Sequence, residues 1–156
     1  MELTYQEKRP RIMITMRCNF KCSYCSIPYC DIPEVDGDYW INLINSQPYT
    51  EVIFSGGEPM LYKDLYRIIG NINIPYRIYT NLMMWRYEYL ELLNPDKCFL
   101  YISYHQNKSN NPMDFCNKVL YLYDNGFNLN VHYINVDSLK KEEIEYLGVK
   151  YTNDKS

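Results

Sequence analysis

Residues 11–25 read RIMITMRCNFKCSYC: a short apolar run from Arg11 to Met16, followed by three cysteines, Cys18, Cys22 and Cys25. The run has the apolar, β-branched content of a buried strand. The cysteines behind it are spaced C-x3-C-x2-C on one short loop. Three thiolates this close in sequence can converge on one face of an iron–sulfur cube, a group that cysteine holds. A fourth cysteine is missing from the pattern, so one iron would be left open to a small molecule. The same open position separates catalytic from structural zinc sites.

Downstream, the chain keeps alternating. Val52–Ser55, Tyr76–Thr80, Cys98–Ser103 and Leu129–Ile134 repeat the strand signature, and Val149–Thr152 reads as a short sixth strand. Between them lie helical patterns. Asp38 reads as the cap of a helix carrying Trp40, Leu43 and Ile44. The run 61–71 puts Leu61, Leu65, Ile68 and Ile69 at helical spacing. A helix over 82–93 is predicted to stop at Asn94-Pro95. Asn111-Pro112 opens another, with Phe115, Val119 and Leu122 on one face and Gly126 at its end. A last helix is expected from Ser138 to Gly148. Strand starts lie about 20 to 40 residues apart, room for a helical crossover each time. The pattern predicts an α/β fold with one parallel sheet and helices outside it. The polar loop 106–111 and the tail 153–156 read as its loosest parts.

The chain has 156 residues, one domain's worth, with 47% hydrophobic and 22% charged residues. A formal net charge of −3 argues against general nucleic-acid binding, which needs a basic face. No apolar run approaches the ~20 residues of a membrane span and the N-terminus lacks a signal-peptide pattern, so a soluble, cytoplasmic protein is expected. The six cysteines are Cys18, Cys22, Cys25, Cys30, Cys98 and Cys116. Clustering in an intracellular chain points to metal or redox chemistry rather than a disulfide framework. Cys98 and Cys116, in a predicted strand and a predicted helix, read as buried small hydrophobes, and Cys30 as a loop or core residue. Alanine is absent while tyrosine occurs 18 times. Such a bias reflects coding more than binding, so tyrosine-rich stretches carry little functional weight.

A second motif ends the second predicted strand: Ser55-Gly56-Gly57-Glu58-Pro59. Two glycines allow the backbone a close approach to a ligand. Glu58 places a carboxylate near the carboxyl edge of the sheet, where α/β folds bind ligands, and can accept hydrogen bonds from an ammonium group. Thr80-Asn81 closes the third strand, Ser103 the fourth, and His105 follows in Ser103-Tyr104-His105. His105 is the candidate catalytic side chain, weighed against the commoner structural role of a lone histidine. His132, in mid-strand, reads as packing. The stretch from Met83 to Tyr87 reads as core and surface helix in preference to a substrate mouth.

These motifs resemble those of the radical S-adenosylmethionine (radical SAM) enzymes. Cys18, Cys22 and Cys25 match that family's C-x3-C-x-aromatic-C, with Tyr24 in the aromatic place. Gly56 to Pro59 match its Gly-Gly-Glu-Pro run. Thr80-Asn81 matches its Thr-Asn-Gly, with Leu82 replacing glycine. The likeness runs from Cys18 to Asn81, and the strand–helix rhythm carries it to about residue 135. The resemblance implies a partial, open (β/α)6 TIM-like barrel, read here as a single core domain over 1–156 with a cluster loop at 17–30. It implies a 4Fe–4S cluster on Cys18, Cys22 and Cys25, with SAM bound by Tyr24, Gly56, Gly57, Glu58, Thr80, Asn81 and Ser103. Reductive cleavage of SAM would then give a 5′-deoxyadenosyl radical that abstracts hydrogen from a substrate, a reaction of oxidoreductase or transferase type. A flavodoxin- or ferredoxin-type reductant is implied, with a substrate bound by short loops, across a dimer, or by a partner protein.

Small family members offer no clean match. Activases of anaerobic ribonucleotide reductase usually carry Asn-Gly-Pro-Gly before the cluster, which residues 1–16 lack. The 7-carboxy-7-deazaguanine synthases typically place Asp-Thr after the third cysteine, where this chain has Ser26-Ile27. Peptide-modifying members share the Arg17-Cys18-Asn19 style but usually add a C-terminal cluster region, so a single cluster is expected here. From a different class, a structural zinc or electron-transfer module would recruit Cys30 as a fourth ligand, yet such a module has no need of Glu58.

Overall fold

The computed structural model describes Thr4, residues 8–22, Cys25, Ile27, Cys30 and residues 32–105 and 111–134. Its elements run β1 (Arg11–Thr15), α1 (Gly37–Ser46), β2 (Val52–Gly56), a 3-10 turn (Pro59–Leu61), α2 (Leu65–Gly70), β3 (Tyr76–Thr80), a 3-10 helix (Tyr87–Leu92), β4 (Cys98–His105), α3 (Pro112–Asp124) and β5 (Asn128–Ile134). The strands form one sheet in the order β1-β2-β3-β4-β5, every neighbouring pair parallel. This is the expected α/β barrel arc, with five strands among the described residues. The predicted sixth strand, the last helix, loop residues 106–110 and the tail lie outside them.

Alternation along each strand separates two faces. Tyr76 and Ile78 of β3, and Cys98, Leu100 and Ile102 of β4, are buried on the helix side. There they pack with Ile44, Leu65, Ile68, Phe115 and Leu122 into one hydrophobic core. Arg77 and Tyr79 of β3, with Phe99, Tyr101 and Ser103 of β4, keep partial exposure. A parallel sheet in sequential order brings all strand carboxyl ends to one edge, which is what gathers the motifs.

Several local readings are corrected. Asp36, not Asp38, caps α1: its carboxylate accepts from the Asp38 backbone N–H. The helix expected over 61–71 is split, because Pro59–Leu61 forms a separate 3-10 turn capped by Glu58, and α2 starts only at Leu65. The helix expected over 82–93 survives only as the 3-10 stretch Tyr87–Leu92. Thr80 Oγ1 accepts from Leu82 N–H and Asn81 Oδ1 from Met83 N–H, so side chains close a turn here in place of a helix start. Leu82 takes a left-handed φ of 61°, in the place where the family motif has glycine. Trp85 is fully buried in the core, and Asn111 caps α3 as expected. Cys98 is buried as expected, whereas Cys116 is exposed, since the buried face of α3 carries Phe115, Lys118 and Leu122.

Candidate functional site

The cysteine loop leaves β1 and is fastened at its base. Thr15 Oγ1 donates to Glu34 Oε1 at 2.6 Å, and Arg17 Nε and Nη2 donate to the same oxygen at 2.9 and 2.8 Å. Arg17 also reaches the Leu61 carbonyl at 3.2 Å. Residues just before Cys18 are thus tied to a carboxylate on the far side of the loop. Nothing local in the sequence announces Glu34, because its partners lie 17 and 19 positions away.

The double glycine explains how the next motif meets this loop. Gly57 N–H donates to the Thr15 carbonyl and Glu58 N–H to the Arg17 carbonyl, both at 2.8 Å. A Cβ on Gly56 would stand 2.1 Å from the Thr15 oxygen, and one on Gly57 2.1 Å from the Arg17 oxygen. The close approach these glycines permit is therefore to the backbone carrying the cysteine loop. Gly56 also has φ 131°, a conformation that side chains disfavour. Both residues border the cavity described below.

Glu58 joins the third motif. Its Oε1 accepts from Thr80 Oγ1 at 2.6 Å and from Met60 N–H at 3.1 Å, and its Oε2 accepts from Asn81 N–H at 2.7 Å. The carboxyl is 1% exposed. Burial pushes its pKa up to about 7, against the lowering effect of its three donors. Asn81 Nδ2 in turn donates to Asn19 Oδ1 at 2.8 Å, which brings the end of β3 back to the residue following Cys18. Asn19 is a brace that the sequence reading did not single out.

These residues open onto one cavity of about 750 Å3. Cys18, Cys22, Cys25, Gly56, Gly57, Glu58, Thr80, Asn81, Ser103 and His105 all line it. Ten of the eleven cofactor, metal and catalytic positions expected from sequence thus meet at one place; Tyr24 lies outside the described residues. All six cysteines are free thiols, and Cys30 is half-buried. Burial, reinforced by Glu58 and the other two cysteines, raises the Cys18 pKa above the ordinary thiol value. His105 Nδ1 lies 3.8 Å from Cys22 Sγ, and its ring meets Phe20 edge-on at 5.3 Å. Burial lowers the His105 pKa, favouring the neutral imidazole.

The donor set suits an iron–sulfur cluster. Three soft thiols border a space large enough for an inorganic cube and a small molecule, and a carboxyl and several amide and hydroxyl groups stand beside them. Among the described residues, no group of three His, Cys, Asp or Glu side chains is arranged to hold a single metal ion. No helix among them is long and apolar enough to cross a membrane.

Comparison with known proteins bears on what such a cavity does. The model of the Radical SAM superfamily matches residues 12–105, from the second residue of β1 to the last of β4. GTP 3′,8-cyclase of Staphylococcus haemolyticus is 31% identical over 40% of this chain and 22% of its own. PqqA peptide cyclase of Granulibacter bethesdensis is 34% identical over 45% of this chain and 20% of its own. The chain therefore spans about a fifth of the length of these curated relatives. Among solved structures, native anSMEcpe with bound AdoMet and Cp18Cys peptide superposes with a TM-score of 0.56 at 17% identity. That superposition covers 79% of this chain and 42% of the other, and it speaks to the fold.

Proposed function

The chain belongs to the radical SAM superfamily, and from that premise we propose that it holds a 4Fe–4S cluster on Cys18, Cys22 and Cys25 and uses it to cleave S-adenosylmethionine reductively. The observation that carries this reading is the meeting of the three thiols with Glu58, Asn81 and Ser103 around one cavity at the carboxyl edge of the sheet. When bound, the cluster supplies a low-potential electron and an open iron for SAM, and the resulting radical chemistry removes a hydrogen atom from the substrate.

In this reading the chain supplies position and the chamber that the motif residues line. The Thr15–Arg17–Glu34 contacts fix the root of the cysteine loop, and the three cysteines border the cavity. Glu58 offers a carboxylate to the SAM ammonium while its present donors hold its orientation. Asn81 and Ser103 present polar groups to the rest of the cofactor. Tyr24, from its place in the motif, is assigned to the adenine. His105, neutral beside Cys22, is assigned to the cavity wall and not to proton transfer.

A one-electron reductant of flavodoxin or ferredoxin type is required, and a reducing cytoplasm suits six free thiols. The relatives' names point to different molecules, a nucleotide and peptides, so the proposed reaction stops at hydrogen abstraction. The test is iron and sulfide analysis of anaerobically purified protein with each cysteine replaced. Alanine at Cys18, Cys22 or Cys25 is expected to abolish the cluster, while alanine at Cys30, Cys98 or Cys116 keeps it. If Cys30→Ala lost the metal as completely as Cys22→Ala, a four-thiolate zinc-like site would replace this assignment.

A further inference from the structure

The inner face of the sheet below the cysteine loop carries a guanidinium with no carboxylate partner among the described residues. All six arginines of the sequence fall within the described residues. Five have a carboxylate within 4 Å: Arg9 and Arg77 share Glu51, Arg17 pairs with Glu34, Arg67 with Asp36, Asp38 and Asp64, and Arg86 with Glu88. Arg11 is the exception among the described residues. Its Nη2 donates to Ser55 Oγ at 2.8 Å, and its guanidinium lies 4.9 Å over the Tyr79 ring. Tyr79 is stacked on Tyr101 at 4.4 Å, and Tyr101 on His132 at 4.0 Å, so the ring beneath Arg11 is fixed by a row of rings across three strands. Arg11, Ser55 and Tyr79 all line the 750 Å3 cavity.

Arg11 is exposed, as arginines on a surface ordinarily are. It differs in bordering the chamber and in being oriented, before any ligand arrives, by a hydroxyl on β2 and a ring on β3. Among the described residues one of its five donors is used, on Ser55, and the planar fork that remains matches an oxyanion. Arg77, on the same face, is neutralised by Glu51 and held over Phe99 at 4.9 Å, so the two inner-face arginines have different tasks. Among the described residues that line the chamber, Glu58 carries the one carboxyl, and it accepts from three donors.

Resting on the radical SAM reading, we infer that Arg11 is the anchor for a carboxylate or phosphate of the substrate, which makes that substrate an anion. Arg11 opens β1, whereas the cysteines follow its end, so the anchor enters the chamber from the opposite end of the strand. An anion docked there is directed away from the cluster, leaving the rest of the molecule to extend toward the cysteine loop.

The test is calorimetric titration of anaerobic, cluster-loaded, SAM-saturated protein at fixed ionic strength, with inorganic pyrophosphate in one arm and glutarate in the other. One probe is expected to bind at a single site, and its identity distinguishes phosphate from carboxylate. Arg11→Gln should weaken that binding by about tenfold or more, and Arg11→Lys by less, since the charge remains but the fork is lost. SAM affinity should be the same in all three proteins. The inference is overturned by equal probe affinity in Arg11→Gln, by absence of saturable binding of either probe, or by a parallel fall in SAM affinity. The last result would give the guanidinium to the cofactor's own carboxylate. Failure of the radical SAM reading would show separately, as wild-type protein that takes up neither cluster nor SAM. The same probe titrations on the cluster-free protein would then decide the anion site alone.

Discussion

Replacing Glu58 by glutamine tests the centre of the site, and its effect should depend on pH in a way that no other replacement there would. In the folded protein the carboxyl is buried and its pKa is raised from 4.5 to about 7. A raised carboxyl binds its proton more tightly in the folded than in the unfolded chain. Below pH 4.5 both states are protonated and the group costs nothing. As pH climbs toward 7 the unfolded chain releases the proton first, so stability falls; above pH 7 the loss is complete. With about 1.4 kcal/mol per unit, the loss amounts to roughly 3 kcal/mol between pH 5 and pH 8. Glutamine cannot ionise and abolishes this slope. It also leaves a mismatch, because an amide that keeps its oxygen on Thr80 and Met60 turns its NH2 toward the Asn81 N–H. That lost buried bond costs about 1–3 kcal/mol at every pH. The variant should therefore be clearly less stable than wild type at pH 5 and close to it at pH 8. Urea denaturation of cluster-free, reduced protein across this range reads the difference, and groups common to both proteins cancel. In the cluster-loaded protein, SAM affinity should fall by about ten- to a hundredfold, because the charge proposed to receive the ammonium is gone. A stability difference independent of pH would refute the buried-carboxyl argument. Unchanged SAM affinity with an intact cluster would sink the assignment of Glu58 to the cofactor.

Gly57→Ala places a methyl 2.1 Å from the Arg17 carbonyl oxygen, a backbone atom that cannot swing aside, so the cysteine loop must shift. Iron uptake on reconstitution should drop and the melting temperature fall by an amount equivalent to roughly 1–3 kcal/mol, whereas Gly70→Ala, where a Cβ meets nothing, should be tolerated. Leu82→Gly restores the family's residue and relieves a left-handed φ, worth about 1 kcal/mol, but empties a fully buried leucine site, which costs about 2–5 kcal/mol. The variant should be less stable by denaturant unfolding; a gain in stability would mean that the strain outweighs the packing. Cys116 should react with a thiol reagent in the native protein well before Cys98, which is buried and whose pKa is pushed up to about 12. Peptide mapping after brief alkylation reads the order, and prior labelling of Cys98 would contradict the exposures.

The strands were legible because their signal is local. Each is a run of apolar and β-branched or aromatic residues bounded by turn residues, and all five described strands fall within two residues of the reading at each end. The motifs that border the cavity were legible for the same reason: Cys18, Cys22 and Cys25 sit within eight positions, and Gly56 to Glu58 are contiguous. What failed was local pattern overruled by a distant partner. Leu82 to Leu93 has helical spacing, but Leu82 stands at a left-handed φ in a turn where Glu58 grips the Asn81 N–H and the Thr80 and Asn81 side chains accept from the next two amides. Leu61 to Asn71 also has helical spacing, but Glu58 caps a separate turn at its start. Cys116 was expected inside because cysteine usually is, yet its place on α3 is off the buried face. Glu34 and the proposed role of Arg11 were invisible in the sequence, since the one matters through contacts 17 and 19 positions away and the other through having, among the described residues, no carboxylate such as its fellow arginines have.

The three motifs are joined to one another by the chain's own bonds. The cysteine loop is held to the Gly-Gly-Glu segment by the Gly57 and Glu58 amides. That segment is held to the end of β3 by the Glu58 carboxyl, and the end of β3 is returned to the cysteine loop by Asn81 and Asn19. The bonds close a ring, each side anchored on a different strand of one parallel sheet. Such a ring fixes the relative positions of the start of the loop, the carboxyl and the amide without a ligand, so their ordering entropy is lost on folding and not on binding. It also couples the positions. Loosening the Asn19–Asn81 contact should disturb the cysteine loop even though neither residue carries a thiol, and Asn81→Ala tests this. Its cluster should form with lower yield, and the loss should be non-additive with Glu58→Gln, because both changes open the same ring. Additive losses would mean that the contacts act singly, and that the cysteine loop takes its position from the Arg17–Glu34 base alone.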